Sequence, residues 1–307
     1  MYVTVGLAVL LLLLGKFLKV KVYFFRKYAI PSPVIGGLLF ALAALALHSS
    51  EILFLQFDNV LQAFFMTVFF TSIGFNVSLK LLKKGGTVLL IFLGLATIFS
   101  LLQNLVAIGL AKPLNLSPQL AMMTGSTALM GGLGTSAAIA PEVEATGISG
   151  AHAVAIASAT FGLLMGSLMG APIGNNLIVR KKLLSTRKAD EEEQKIDAMQ
   201  AHPVPMDGER ITKASFLILV SMGIGVIFTD LLNNFMGMFI GMVKFPIYIG
   251  PMIVAAIIRN IMDTREDFTL NTEIQLIGDI CLNIFISIAI MTMRLWELSS
   301  LALPLMV

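Results

Sequence analysis

The most informative feature of the chain is a run of small residues between Thr124 and Ala138. Twelve of these fifteen residues are Gly, Ala, Ser or Thr, and none is charged. Glycine destabilises a helix interior by about 1 kcal/mol relative to alanine, and small side chains let a backbone or a ligand approach closely. At a helix break, free N–H groups attract carboxylates, and free carbonyl and hydroxyl oxygens bind cations. The run therefore predicts a broken helix that lines a binding site, although close packing between helices favours the same composition.

The candidate binding residues of this run carry a hydroxyl group or a glycine backbone. They are Ser126, Thr127, Gly131, Gly132, Gly134 and Thr135. A second set consists of polar residues inside other apolar runs, where each polar group needs a partner: Thr71, Ser72, Asn76, Gln103 and Asn104. Either hydrogen bonds between helices or contact with a ligand or cation explains this second set.

Asp279 is the one acid that the sequence places well inside an apolar run. An intramembrane carboxylate is a candidate site for a coupling ion or a proton. Hydration from the nearby end of the run is the alternative explanation. His48 and His152 lie at helix ends, where capping is the simpler interpretation.

The composition predicts a protein that crosses a membrane several times. The mean hydropathy is +0.90, and 57% of the 307 residues are hydrophobic whereas 13% are charged. Charge-poor runs occupy about residues 2–15, 29–47, 59–79, 87–111, 113–140, 151–179, 214–229, 245–258 and 274–293. Most approach the ~20 residues that a spanning helix needs, and none shows the alternation of a membrane barrel strand. We therefore expect an all-α polytopic membrane protein.

Several other classes of protein are disfavoured. The single cysteine, Cys281, excludes an intrachain disulfide framework and a thiolate metal cluster. The net charge of +3 needs no nucleic-acid partner, because the basic residues have a membrane explanation. No Ser-His pair, paired acids or histidine-based metal cluster occurs at helical spacing within the runs, so we expect no enzyme and no bound cofactor.

Charge placement predicts the topology. With residue 1 outside the cell, 18 of the 21 Lys and Arg residues fall on the cytoplasmic side, and only Lys112, Lys244 and Arg294 fall outside. This count holds only if residues 113–140 enter and leave on the outer side, since a full crossing would place the basic residues after position 179 outside. We therefore predict a re-entrant hairpin at about 113–140 and a cytoplasmic linker at 181–213.

The sequence also contains a faint internal repeat. An offset of 214 residues aligns Gly36 with Gly250 and Leu81 with Leu295 without a gap. We predict a first repeat of five transmembrane helices plus the hairpin over 1–180, and the N-terminal part of a second, inverted repeat over 214–307. The offset also predicts a second hairpin near position 340, so we expect the second repeat to be truncated in this chain.

Motifs in nearly the whole chain resemble the bacterial glutamate:sodium symporter family. The matching segments are 30–39 (Ile-Pro-Ser-Pro-Val-Ile-Gly-Gly-Leu-Leu), 69–76 (Phe-Phe-Thr-Ser-Ile-Gly-Phe-Asn), 103–104, 125–135, 160–163 and 295–304. The resemblance implies sodium-driven uptake of L-glutamate by two inverted five-helix units, a homodimer, and a location in the bacterial cytoplasmic (inner) membrane. It assigns the hairpin residues to one wall of a glutamate and sodium site. With Na⁺ as the coupling ion, the candidate ion-binding residues are the polar and acidic residues of the apolar runs: Thr71, Ser72, Asn76, Gln103, Asn104 and Asp279.

Two departures from the family pattern leave alternatives open. Family hairpins often read Ser-Gly-Gly-His-Gly-Thr, whereas this chain has Met130 and Leu133 at the Ser and His positions. This difference permits a carrier of another organic anion with the same fold. The expected truncation permits a fragment that does not transport.

Overall fold

The computed structural model describes residues 1–28, 30–50, 57–58, 60–181, 207–240, 245–265 and 269–298. Every regular element in these residues is a helix, which confirms the all-α prediction. In chain order the helices are α1 (Tyr2–Lys21), α2 (Tyr23–Lys27), α3 (Ser32–Ser49), α4 (Val60–Phe75), α5 (Leu79–Ala111), α6 (Pro118–Met122), α7 (Ser126–Leu129), α8 (Gly132–Glu144), α9 (Ala151–Arg180), α10 (Gly208–Ile240), α11 (Ile249–Arg265), α12 (Asn271–Met291) and α13 (Leu295–Leu298).

Among the described residues, six helices are long and apolar enough to cross a membrane. They are α1, α3, the part of α5 from Gly86 to Ala111, α9, the part of α10 from Gly208 to Met238, and α12. α4 is a shorter apolar helix. The apolar part of α5 begins at Gly86, whose φ of 51° interrupts the helix in a region that favours glycine. These lengths and compositions support the prediction of a multi-pass membrane protein.

The helix after the linker begins earlier than we expected from the sequence. We expected a linker up to residue 213, but α10 begins at Gly208. Glu209 and Lys213 form an exposed ion pair of 2.7 Å one turn apart, and Arg210 Nε donates to Glu273 Oε1 at 2.6 Å. The first pair slightly stabilises the start of α10, and the second joins this start to α12. Residues 182–206 of the expected linker lie outside the described part of the chain.

Two helix pairs approach each other closely at matching positions. A Cβ on Gly36 of α3 would overlap the carbonyl oxygen of Leu11 in α1. A Cβ on Gly250 of α11 would likewise overlap the carbonyl oxygen of Gly225 in α10. Positions 225 and 250 of the second crossing each lie 214 residues after positions 11 and 36 of the first. The same offset aligns the sequence with itself. Small residues at these crossings let the two backbones touch.

Several other contacts also match when α1, α3 and α4 are paired with α10, α11 and α12. α3 packs on α12 and α11 packs on α4, while α4 and α12 pack on each other. α1 also contacts α12, and α10 also contacts α4. Exchanging α1, α3 and α4 with α10, α11 and α12 therefore returns each of the contacts named here, whereas the packing of α10 on α12 has no counterpart of similar extent between α1 and α4. We call these six helices the six-helix unit.

The exchanged helices run in opposite directions. Ser72 of α4 meets Gly278 of α12, whereas Phe69, earlier on α4, and Leu282, later on α12, lie together beside Gly134. These two helices are therefore antiparallel. α3 is parallel to α12, because Gly37 meets Ile290, whereas the His48 ring at the other end of α3 stacks 4.0 Å from Trp296. α11 and α4 are parallel as well, because Gly74 meets Met252 and the later Val77 carbonyl oxygen accepts a hydrogen bond from Asn260. Such opposed directions are what an inverted repeat predicts.

A second group of helices, α5 to α9, lies beside the six-helix unit. α5 packs on α6, and α7 and α8 pack on each other and on α9. The face of this group that meets the six-helix unit contains Ala128, Leu133 and Ala137, which share one buried cluster with Ile286 and Ala289 of α12. The small-residue run is therefore held against the centre of the six-helix unit.

The close crossing of α10 and α11 makes a prediction about stability. Gly225→Ala places a methyl group on the backbone of Pro251, so the two helices must separate. Overpacking of this kind costs about 1–3 kcal/mol, and we expect a lower thermal unfolding midpoint for the purified protein in detergent. Gly223→Ala, two residues away, is the matched control because a Cβ there meets nothing within 4 Å. Its higher helix propensity should keep or raise the midpoint. Equal midpoints for the two variants would contradict the close crossing.

Candidate ligand-binding site

The small-residue run folds as three short helices separated by two breaks. α6 begins at Pro118 and is capped by Ser117, whose Oγ accepts a hydrogen bond from the Leu120 N–H at 3.2 Å. Residues 123–125 form the first break, and Met130 and Gly131 form the second. The prediction of a broken helix in this run is confirmed.

The chain reverses direction between α7 and α8. Ser136 Oγ donates to the Thr127 carbonyl oxygen at 3.4 Å. Nine residues of continuous helix would rise about 13.5 Å, so this contact requires the backbone to double back between the two residues. We refer to α6, α7 and α8 together as the hairpin, and to residues 130–132 as its tip.

The three glycines at and beside the tip have different surroundings. A Cβ on Gly131 would lie 2.5 Å from Thr135 Cβ and 2.6 Å from the Thr127 carbonyl oxygen, so this position admits only glycine. Gly132 has a φ of 67°, and a Cβ there would point into open space. A Cβ on Gly134 would lie 3.4 Å from the Phe69 ring of α4 and 3.6 Å from Leu282 of α12. The tip is therefore tight on one side and open on the other.

The start of α8 has three N–H groups without partners. The N–H groups of Gly132, Leu133 and Gly134 donate to no acceptor among the described residues, and no side chain caps this end. The first N–H groups of a helix lack partners within that helix, and they form its positive end. Because Gly132 borders open space, this end of α8 can receive an anionic group such as a carboxylate.

The start of α7 differs, because its first N–H group is already bound. The Ser126 N–H donates to Asn104 Oδ1 of α5 at 2.9 Å. The neighbouring Gln103 is half-buried, and its Oε1 has no hydrogen-bond partner within the described residues. Asn104 therefore contacts the hairpin, and the adjacent Gln103 carries an unsatisfied oxygen on the same helix.

Three of the other predicted site residues lie on α4 or just after it. Thr71 is fully buried and donates to the Thr67 carbonyl oxygen at 2.6 Å. Ser72 donates to the Phe69 carbonyl oxygen at 2.7 Å and is buried against α12. Asn76 follows the end of α4 and is exposed. The structure thus places Thr71 and Ser72 in helix packing and leaves Asn76 at the helix end.

Asp279 lies on α12 close to the part of that helix that meets the hairpin. Leu282, three residues later, contacts the hairpin at Gly134, and residues three apart share a helix face. Asp279 is exposed, and its carbonyl oxygen accepts a hydrogen bond of 2.7 Å from Asn283 Nδ2. The expectation that Asp279 is the one acid within an apolar run is wrong for the structure. Asp230 also lies inside a candidate span, because α10 continues well beyond residue 229.

The structure therefore gathers most of the predicted site residues around the hairpin. The hairpin itself contains Ser126, Thr127, Gly131, Gly132, Gly134 and Thr135. Asn104 touches it directly, and Asp279 lies on the helix that borders it. Thr71, Ser72 and Asn76 are not brought to the open side of the tip.

Sequence reasoning missed three residues that shape the hairpin. Phe69 and Leu282 form the wall against which Gly134 packs, and Ser136 joins the two arms. Ser136 lies in the small-residue run and could have been selected for its hydroxyl group. Phe69 and Leu282 carry no such signal, because apolar residues are common throughout these helices. Among the described residues no group of three or more His, Cys, Asp or Glu side chains could hold a resident metal ion.

Comparisons with known proteins address the whole chain. A family model described as sodium/glutamate symporter matches residues 1–307. The sodium/glutamate symporter of Haemophilus influenzae is 33% identical over 314 aligned positions, which cover 100% of this chain and 75% of the relative. The protein of the same name from Escherichia coli K12 is 34% identical over 310 positions, which cover 99% and 75% of the two chains. No solved structure matches the chain significantly. With a family model matched from the first residue to the last, and with relatives this similar over its whole length, the chain belongs to the sodium/glutamate symporter family.

Proposed function

We propose that the chain carries L-glutamate into the cell together with sodium ions, as a secondary transporter. The family match over residues 1–307 carries the proposal, because the relatives with full-length similarity are named sodium/glutamate symporters. The family consists of transporters and not of enzymes. The hairpin supports the proposal independently, since its three free N–H groups suit a carboxylate.

In the proposed site, the start of α8 binds a carboxylate of glutamate. The Gly132, Leu133 and Gly134 N–H groups lie at the positive end of a 13-residue helix, equivalent to roughly half an elementary charge. In a membrane, hydrogen bonds to a carboxylate would replace those that these groups lack. The residues proposed for glutamate are those predicted from the sequence: Ser126, Thr127, Gly131, Gly132, Gly134 and Thr135.

Sodium is proposed as the coupling ion and not as a resident cofactor. Sodium is a hard cation that prefers oxygen ligands. Gln103 Oε1, next to Asn104, has no hydrogen-bond partner within the described residues, and the exposed Asp279 lies on the helix that borders the hairpin. The other proposed ion-binding residues are Thr71, Ser72, Asn76 and Asn104. The hydroxyl groups of Thr71 and Ser72 donate to carbonyl oxygens of their own helix. An ion would therefore bind to the lone pairs of these hydroxyl oxygens.

The proposed topology follows the charge distribution. The N-terminus lies outside, the linker 181–213 lies in the cytoplasm, and the hairpin enters from the outer side of a bacterial inner membrane. The antiparallel exchange of α4 with α12 supports an inverted repeat in which the two units face opposite sides. The family resemblance supports a homodimer.

The proposed mechanism uses the sodium gradient. Each positive elementary charge that moves into the negative interior of the cell releases about 2.3 kcal/mol per 100 mV of membrane potential. Coupled sodium entry can therefore drive an anionic amino acid against its concentration gradient. The helices α5 to α9 carry the hairpin, and the six-helix unit borders it at Phe69 and Leu282. Movement of one group against the other would expose the tip to each side of the membrane in turn.

A carrier of another organic anion is the second candidate. The observation that favours it is the pair Met130 and Leu133, which replaces the Ser and His of many family hairpins. Met130 is exposed at the tip, where it would border a bound ligand, whereas Leu133 is buried.

Uptake by proteoliposomes tests the function and separates the two candidates. With the protein expressed from its whole gene, an inward sodium gradient should drive accumulation of radiolabelled L-glutamate, and an equal potassium gradient should not. Unlabelled glutamate should compete, whereas citrate and malate should not. Competition by another anion without competition by glutamate would support the second candidate.

Asp279→Asn should raise the sodium concentration for half-maximal uptake at least about fivefold, because the ion loses a charged ligand. Asp230→Asn, an exposed acid on α10, is its matched control and should resemble the wild type.

Substitution at the tip tests the glutamate site. Gly132→Leu places a large side chain in the open space at the start of α8 and forces a left-handed backbone on a residue with a Cβ. We expect glutamate binding in saturating sodium, measured by scintillation proximity, to fall below detection. Gly109→Leu on α5 is the control, because a Cβ at that exposed glycine also meets nothing within 4 Å. Unchanged affinity in Gly132→Leu would remove the start of α8 from the site.

A further inference from the structure

The contact between Asn104 and Ser126 connects two helices that are separated by the first break of the hairpin. Asn104 Oδ1 accepts the Ser126 N–H at 2.9 Å, across 22 residues of sequence. Ser126 is the first residue of α7, so its N–H would otherwise be one of the unpaired groups at a helix start. Asn104 therefore acts as a cap supplied by a neighbouring helix.

The residue before Ser126 is adapted to this contact. A Cβ on Gly125 would lie 2.5 Å from Asn104 Oδ1, closer than side chains tolerate. Only glycine at position 125 lets the amide oxygen reach the Ser126 N–H. The contact thus depends on two residues with complementary shapes.

The starts of α7 and α8 differ in the partner of their N–H groups. At α7, the side chain of Asn104 occupies the first N–H group, whereas at α8 the first three N–H groups are free within the described residues. Ser136 Oγ then ties Thr127 of α7 to α8. The position of α7 relative to α5 therefore contributes to the position of the free N–H groups of α8, which also packs on α9 and α12.

We propose that Asn104 is a positioning residue, which fixes the hairpin on α5 so that the start of α8 is held in place for its ligand. Asn104 also belongs to the proposed ion-binding set, but its Oδ1 already accepts the Ser126 N–H, and the positioning role needs no ion. The identity of the ligand rests on the proposed function, whereas the positioning role does not.

Hydrogen exchange in sodium-free and glutamate-free solution tests this role. We expect Asn104→Leu to raise the amide exchange rate of peptides that cover residues 124–131 by about five- to tenfold, the effect of one lost hydrogen bond. Asn104→Asp keeps an acceptor oxygen at the same distance and should restore most of the protection. Thr97→Val on the same helix is the matched control, because Thr97 is exposed and bonds only to its own helix at the Leu93 carbonyl oxygen. It should exchange like the wild type.

A double-mutant cycle covers the case in which Asn104→Leu fails to fold. Gly125→Ala should speed exchange strongly in the wild-type background, because its Cβ displaces the Asn104 oxygen. It should add little in an Asn104→Ala background, where the oxygen is absent. Additive effects in this cycle would overturn the proposal.

The same experiment separates a positioning role from an ion-binding one. A sodium ligand would change protection only when sodium is present, so exchange of Asn104→Leu equal to that of the wild type in sodium-free solution would overturn the proposal. Peptides of α12 around Ile288 report on the fold of each variant. Since no transport is measured, a failure of glutamate uptake would leave this result intact.

Discussion

The structure depends on one constraint: a backbone N–H group inside a membrane needs a partner. Continuous helices meet this requirement within themselves, whereas a broken helix does not. The hairpin breaks twice and has three helix starts with three different solutions. Ser117 caps α6 with its own hydroxyl group, Asn104 caps α7 from a neighbouring helix, and α8 is left open at Gly132. The open end is the position at which a ligand would complete the hydrogen bonding.

The six-helix unit provides the surface on which this open end rests. α4 and α12 cross at Ser72 and Gly278, and both helices send an apolar side chain, Phe69 and Leu282, to the hairpin at Gly134. The glycine crossings at the ends of the unit, at Gly36 and Gly250, bring the outer helices into backbone contact. α4 and α12 therefore lie side by side where they meet the hairpin.

Much of this architecture could be predicted from the sequence, because it follows from local composition. Hydropathy predicts the spans and the glycine-rich run predicts the breaks, whereas the inverted repeat stays a prediction. The contacts between distant segments could not be predicted in this way. The sequence shows Asn104 only as a polar residue in an apolar helix, and the structure is needed to identify Ser126 as its hydrogen-bond partner. Thr71 and Ser72 have the same sequence signal but bond to their own helix, since a hydroxyl group can always reach a carbonyl oxygen one turn earlier.

The central claim is that the free N–H groups at the start of α8 bind glutamate. A cryo-electron microscopy map of the protein in saturating sodium and glutamate tests it most directly. The account predicts density for a carboxylate within about 3 Å of the backbone nitrogens of Gly132, Leu133 or Gly134. Glutamate density elsewhere, with these three N–H groups still without a partner, would contradict it.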